Sequence, residues 1–103
     1  MNIGPIVREF RKKKLYTQKD LSEKCNITRA YLSLIENNKA EINMTTLKRI
    51  SEALGVPASV ILLFSMNESD ILADDRECAA KLTEHVKDLI KPLTSKMLLL
   101  NRR

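Results

Sequence analysis

The chain has no tryptophan, only two glycines and two cysteines, and a single histidine among its 103 residues. Each shortage excludes something. Two glycines leave no glycine-rich loop of the kind that cradles nucleotide phosphates. Cys25 and Cys78 share no C-x-x-C spacing, and with only His85 to join them they form no usual zinc set. They read as two reduced thiols, with Cys25 in or near the core. His85, beside Glu84, reads as a surface residue, and no histidine–carboxylate pair stands at a spacing suited to acid–base chemistry. No enzyme and no cofactor are therefore expected. Aromatic residues make up 4% of the chain, so Leu, Ile, Val and Met must build the core. The N-terminus carries no signal-like apolar run, and no stretch approaches membrane-spanning length. A cytoplasmic protein that does not enter a membrane is expected.

What is present is ordinary in amount and uneven in placement. At 103 residues, 44% hydrophobic and 30% charged, the chain has room for one compact domain and an appendage. The net charge is +5, and residues 1–64 hold all of the excess, with eleven Lys/Arg against six Asp/Glu. Residues 65–103 balance at seven of each. A basic surface on the first segment suits a polyanion, although such an excess also serves solubility alone.

The stretch Thr17–Asn38, TQKDLSEKCNITRAYLSLIENN, organises the rest. It reads as two short helices joined by a tight turn. Thr17 can cap the first helix, with Asp20 completing a Ser/Thr-x-x-Asp/Glu capping box. Leu21 points inward, and Ser22 is small enough to let the second helix cross closely. Asn26 tolerates the positive φ that a tight reversal needs. Thr28 caps the second helix, which places Ile27, Leu32 and Ile35 on one side, with Tyr31 at their edge. Arg29, Ala30, Ser33 and Asn37 fall on the other side. A short helix anchored on one face, with an arginine and small polar groups on the other, suits a DNA major groove.

Around this pair, Gly4-Pro5 opens a helix with an Ile3, Ile6, Val7, Phe10 stripe, closed by Arg11-Lys12-Lys13-Lys14. Those four cations favour a helix C-terminus in their own right and could also meet phosphates. Asn37-Asn38 turn the chain, and Asn43 caps a fourth helix with Met44, Leu47, Ile50 and Leu54 on its apolar face, ended by Gly55. Pro57 starts a fifth, with Val60, Ile61 and Phe64 packing back.

From about Ile3 to Phe64 the sequence resembles the helix-turn-helix domain of phage repressors, Cro proteins and many small bacterial regulators, the lambda-repressor-like or XRE family. The matching pieces are Arg11, Thr17-Gln18, Leu21, Ile27-Thr28, Tyr31-Leu32, Ile35-Glu36, Thr46-Leu47 and Ala53-Leu54-Gly55-Val56. Ser22 replaces the family's usual Ala, Asn26 and Asn38 its usual Gly, and Leu34 stands where a polar residue is more common. The resemblance implies an all-α fold of five helices, with helix 3 in the major groove of double-stranded DNA. Arg29 is the strongest base-reading candidate, since arginine can bond guanine O6 and N7, with a phosphate contact or plain exposure as its alternatives. Ala30, Ser33 and Leu34 are further base-edge candidates. Leu34 could touch a thymine methyl or instead be a core or interface residue. Phosphate candidates are Arg11, Lys12, Lys14, Thr17, Gln18, Thr28, Tyr31, Asn37 and Lys39. The resemblance also implies a partly buried salt bridge between Arg11 and Glu36.

Residues 1–64 are thus expected to form the DNA-binding domain, 65–74 an acidic linker, and 75–103 a helical extension. In the extension, Leu82, Val86, Leu89, Leu93, Met97 and Leu100 recur at helical spacing, and Pro92 predicts either a kink or a second short helix. Met97-Leu98-Leu99-Leu100 is apolar on every side. The stripe reads as a homodimerisation element, with a helix folded back on its own domain as the alternative. The 39 residues after Phe64 are too few to enclose a ligand pocket. The expected function is a sequence-specific regulator, most simply a repressor, bound as a homodimer to a near-palindromic operator. The rival is an antitoxin-like module whose C-terminal segment holds a partner protein.

Overall fold

The computed structural model describes residues 2–66 and 76–100, with the side chains of 76–83 and 85 left aside. These residues form helices and turns, with no strand among them. The helices are α1 (Ile3–Lys13), α2 (Gln18–Cys25), α3 (Arg29–Glu36), α4 (Met44–Leu54), α5 (Ala58–Ser65) and α6 (Arg76–Leu99). The acidic stretch 67–75 and the side chains of Cys78, Leu82 and His85 lie outside the described residues.

The first four helices end in the same way. At each C-terminus a residue in the left-handed region reverses the chain: Leu15 (φ 63°), Asn26 (φ 56°), Asn38 (φ 56°) and Gly55 (φ 74°). The amide after it bonds back five residues along the chain, as in Ile27 N–H to Ser22 O (3.0 Å) and Val56 N–H to Ser51 O (3.1 Å). Tyr16 N–H to Arg11 O (3.1 Å) and Lys39 N–H to Leu34 O (2.8 Å) repeat the pattern. Side chains cap the starts of α2, α3 and α4, the last through Thr46 N–H donating to Asn43 Oδ1. Pro57 is the residue just before α5, and Pro5 lies inside the first turn of α1.

The core gathers Val7 and Phe10 of α1, Leu21 and Cys25 of α2, Leu32 and Ile35 of α3, Leu47, Ile50 and Leu54 of α4, and Ile61 of α5. Phe10 and Phe64 meet edge to face, with ring centroids 5.7 Å apart. Met44, expected on the apolar face of α4, is instead 56% exposed at the first position of that helix, whereas Thr46 and Leu47 of the same turn are buried. Gly4 serves packing as well as helix initiation. A Cβ there would lie 2.1 Å from Ile35 O and 2.7 Å from Asn38 Oδ1, so α1 crosses the end of α3 at a separation that only glycine permits.

α6 runs through Pro92 without a break and packs on α1 and α5. Leu98 is fully buried in the core, and Lys87 and Thr94 are buried on the same side. Leu89, Leu93 and Leu100 remain exposed, lying roughly 140° around the helix from the buried side at 100° per residue. The expected stripe therefore does not act as one unit. Met97 turns onto the core and Val86 is half-buried, whereas the three leucines form an uncovered ridge.

Two substitutions test this account by thermal or urea denaturation. Gly4→Ala should destabilise the domain by about 1–3 kcal/mol through overpacking against α3. Leu15→Gly should stabilise it by about 1 kcal/mol, since leucine is costly in the left-handed region and this one is exposed.

Candidate nucleic-acid interface

The α2–α3 pair is capped at both starts. Asp20 N–H donates to Thr17 Oγ1 (3.0 Å) while Thr17 N–H donates to Asp20 Oδ2 (2.8 Å), a reciprocal capping box. Tyr31 N–H donates to Thr28 Oγ1 (3.0 Å). The left-handed turn at Asn26 then sets α3 across α2, with Leu32 and Ile35 inward. Arg29, Ala30 and Asn37 are exposed, Ser33 is half-buried, and Leu34 is 44% exposed. The outward side of α3 thus presents one cation, two short polar groups and two apolar ones, and Leu34 is not part of the core. The surface of a helix of eight residues is small, so what holds it matters as much as what it carries.

A buried polar cluster holds it. Arg11 Nε and Nη2 donate to the two Glu36 carboxylate oxygens, at 2.8 and 3.1 Å. Arg11 Nη1 donates to Tyr16 O (2.9 Å), and Gln18 Nε2 donates to Glu36 Oε1 (3.1 Å). α1, the start of α2 and the end of α3 meet at this one carboxylate, and the turn after α1 is tied in through Arg11. Arg11 and Glu36 are 8% and 3% exposed. Three of the five guanidinium N–H groups are engaged inward, so Arg11 is first of all a structural residue.

Lys14 departs further from expectation. It is 3% exposed, and its ammonium donates to the carbonyl of Leu100 at the end of α6. Burial, aided by the charge of Lys24, lowers its pKa from the ordinary value. It is a structural lysine, not a surface cation, and nothing in its position within a run of four cations distinguishes it. The other expected residues stay near the surface. Lys12 and Lys39 are exposed, Tyr31 Oη donates to Glu41 O (3.3 Å), and Asn37 Nδ2 donates to Ser33 O (2.8 Å), tying off the last turn of α3. Sequence reasoning missed Lys87 and Leu98 as anchors of α6. The all-round apolar run 97–100 signals a helix with two apolar faces, but nothing marks Lys87.

Cys25 is buried, and its thiol donates to Arg49 O (3.7 Å). Burial pushes the thiol pKa up to about 11 against a smaller opposing pull from Arg49, which leaves it protonated and inert at neutral pH. Among the described residues no group of His, Cys, Asp and Glu could hold a metal ion, and no helix is long and apolar enough to cross a membrane.

A helix-turn-helix family model matches residues 7–61, which span α1 to α5. The chain belongs to the XRE-type helix-turn-helix family. It is accordingly a DNA-binding transcriptional regulator. Among its relatives, the immunity repressor protein of Bacillus phage phi105 is 31% identical over 96 residues, covering 88% of this chain and 67% of the repressor. The HTH-type transcriptional regulator SinR of Bacillus licheniformis is 30% identical over 95 residues, 91% of this chain and 82% of SinR. A hypothetical transcription factor of Neisseria meningitidis serogroup B is 33% identical over 57 residues, 55% of this chain and 54% of that protein. No solved structure matches significantly. The first two similarities extend well beyond the matched domain, into the part of the chain that contains α6.

The buried cluster makes a testable demand on this XRE-type domain. Glu36→Gln should cost about 3–5 kcal/mol in urea denaturation, because it leaves the Arg11 guanidinium buried without a counter-charge. An Arg11→Met, Glu36→Leu double variant should recover most of that loss.

Proposed function

We propose that this regulator is a repressor that binds a near-palindromic operator as a homodimer, with α3 of each subunit in a major groove. The observation that carries the reading is the outward side of α3. It pairs Arg29 with the small groups Ala30 and Ser33, beside the capped start of α2, on the half of the chain that holds the whole positive excess. In this reading Arg29 bonds a guanine edge, Ser33 a base one turn on, and Ala30 and Leu34 approach thymine methyl groups. Gln18 keeps one amide hydrogen for a phosphate while the other holds Glu36. Thr17, Thr28 and Asn37 can each still donate to a phosphate oxygen, Tyr31 can do so by giving up its bond to Glu41 O, and Lys12 and Lys39 add charge to either side.

The two half-sites would lie about one helical turn, roughly 34 Å, apart. The ridge of Leu89, Leu93 and Leu100 supports the dimer, with Leu82 and Val86 continuing the same stripe. The repressor reading draws on the phage immunity repressor among the relatives. Such a protein would act in the cytoplasm by occluding a promoter. The same ridge favours a second reading, in which a partner protein covers α6 in place of a second copy.

A titration against the DNA upstream of the gene, with protein mass measured in the same buffer, separates these. Tight binding of a dimer to that fragment and not to a scrambled duplex is expected; a monomer with no preference between the two would overturn the reading. Arg29→Ala should relax base preference at one position per half-site by about 1–3 kcal/mol. Lys12→Ala should weaken all sequences alike and lower the salt slope by about one.

A further inference from the structure

α6 carries its exposed leucine ridge on one side and is fastened to α1 and α5 on another. The fastening has three parts. Leu98 is fully buried among core residues of the domain. Lys87 reaches from α6 to the end of α5, its ammonium donating to Met66 O at 3.1 Å with Glu84 alongside at 3.7 Å. Lys14 reaches the opposite way, from the end of α1 to the Leu100 carbonyl. Each ammonium meets a backbone carbonyl just past the end of a helix, Met66 after α5 and Leu100 after α6. From residue 87 to residue 100 these contacts pin about 20 Å of helix. Lys87 and Lys14 are nearly as buried as the apolar core, at 9% and 3% exposed. An arm that merely held two subunits together would have no need of either.

We propose that Lys14, Lys87 and Leu98 set the spacing between the two half-sites that the regulator accepts, by fixing α6 rigidly to the helices that carry α3. The proposal rests on the homodimer reading above. If the subunits meet through the α6 ridge, the position of each α3 relative to the two-fold axis is determined by how α6 sits on its own domain. Each base pair inserted between half-sites moves one of them by about 3.4 Å and turns it by roughly a tenth of a turn. A rigidly docked α6 cannot follow that displacement, whereas a loosely tethered one can. The three residues are thus positioning residues for spacing and play no part in reading bases.

The test compares the full-length wild type with Lys14→Met and with a Lys14→Met, Lys87→Met double variant, in which apolar chains of similar length keep the contacts filled. Each protein selects from a duplex library in which paired half-sites are separated by every spacer from 0 to about 12 base pairs, roughly one turn. Mass in solution and thermal unfolding are measured alongside. The wild type should choose one spacing and lose about tenfold or more when it changes by two base pairs. The variants should remain folded dimers, recover the same half-site, and accept neighbouring spacings within about threefold. Folded, dimeric variants that keep the single wild-type spacing would overturn the inference and leave the homodimer reading intact. Variants that become monomers would also overturn it, since the lysines would then serve association itself. A wild type that recovers lone half-sites, or no preferred spacing, would overturn both.

Discussion

The contact on which the rest depends is the buried ion pair between Arg11 and Glu36. α3 has eight residues, about two turns, too few to hold a helical conformation or a direction by itself. Its direction is imposed from outside, and the last residue of the helix, Glu36, is where that happens. Its carboxylate takes both forks of Arg11 from α1 and the amide of Gln18 from the start of α2. A buried pair of this kind contributes little net stability over an apolar substitute, because removing two charges from water offsets most of their attraction. What it adds is geometry. Bidentate bonding tolerates few relative orientations of α1 and α3, while Gly4 at the other end lets their backbones come into contact. The outward residues of α3 are therefore held in place by groups that do not face outward.

The second constraint is economy of connection. Each helix from α1 to α4 stops with a left-handed residue and an amide bonded back across the last turn, so the chain reverses within two or three residues. Asparagine at 26 and 38 and glycine at 55 meet that demand at low cost. Leu15 meets it at a higher one, and no contact explains why leucine stands there. Short turns and short helices together let a chain with few aromatics close a core of small aliphatic groups, since little of it is spent on loops.

Much of this was legible in the sequence for a physical reason: caps and turns are local. Thr17 with Asp20, Thr28, Asn43, Asn26 and Gly55 act within a few residues of themselves, so their identities announce what they do. The 3.6-residue periodicity of Leu32 and Ile35, or of Leu47, Ile50 and Leu54, announces a buried face in the same way. Arg11 with Glu36 was legible only by resemblance, because nothing local links residues 25 apart. Lys14 was not legible at all. A lysine in a run of four reads as surface charge, and only the return of α6, 86 residues along, makes it interior. Met44 failed for a different reason: its periodicity was correct, but as the first residue of α4 it lies outside the cover that reaches Thr46 and Leu47.

α6 folds back on its domain and still offers an apolar face. A helix can carry two such faces where its apolar residues outnumber those that one contact can cover, and Met97 to Leu100 do so in a single turn. Leu98 enters the core, and Leu100 turns outward while its backbone carbonyl takes the Lys14 ammonium. Since the covered and uncovered sides are roughly 140° apart, filling one does not require vacating the other. Docking on the domain leaves the leucine ridge in place and gives it an orientation. A docked helix offers a partner one arrangement of leucines on a rigid support, and so avoids most of the ordering cost that a free tail would incur on association. The contacts that place α3 and those that place α6 thus converge on α1, through Arg11 on one side and Lys14 on the other, three residues apart in the chain.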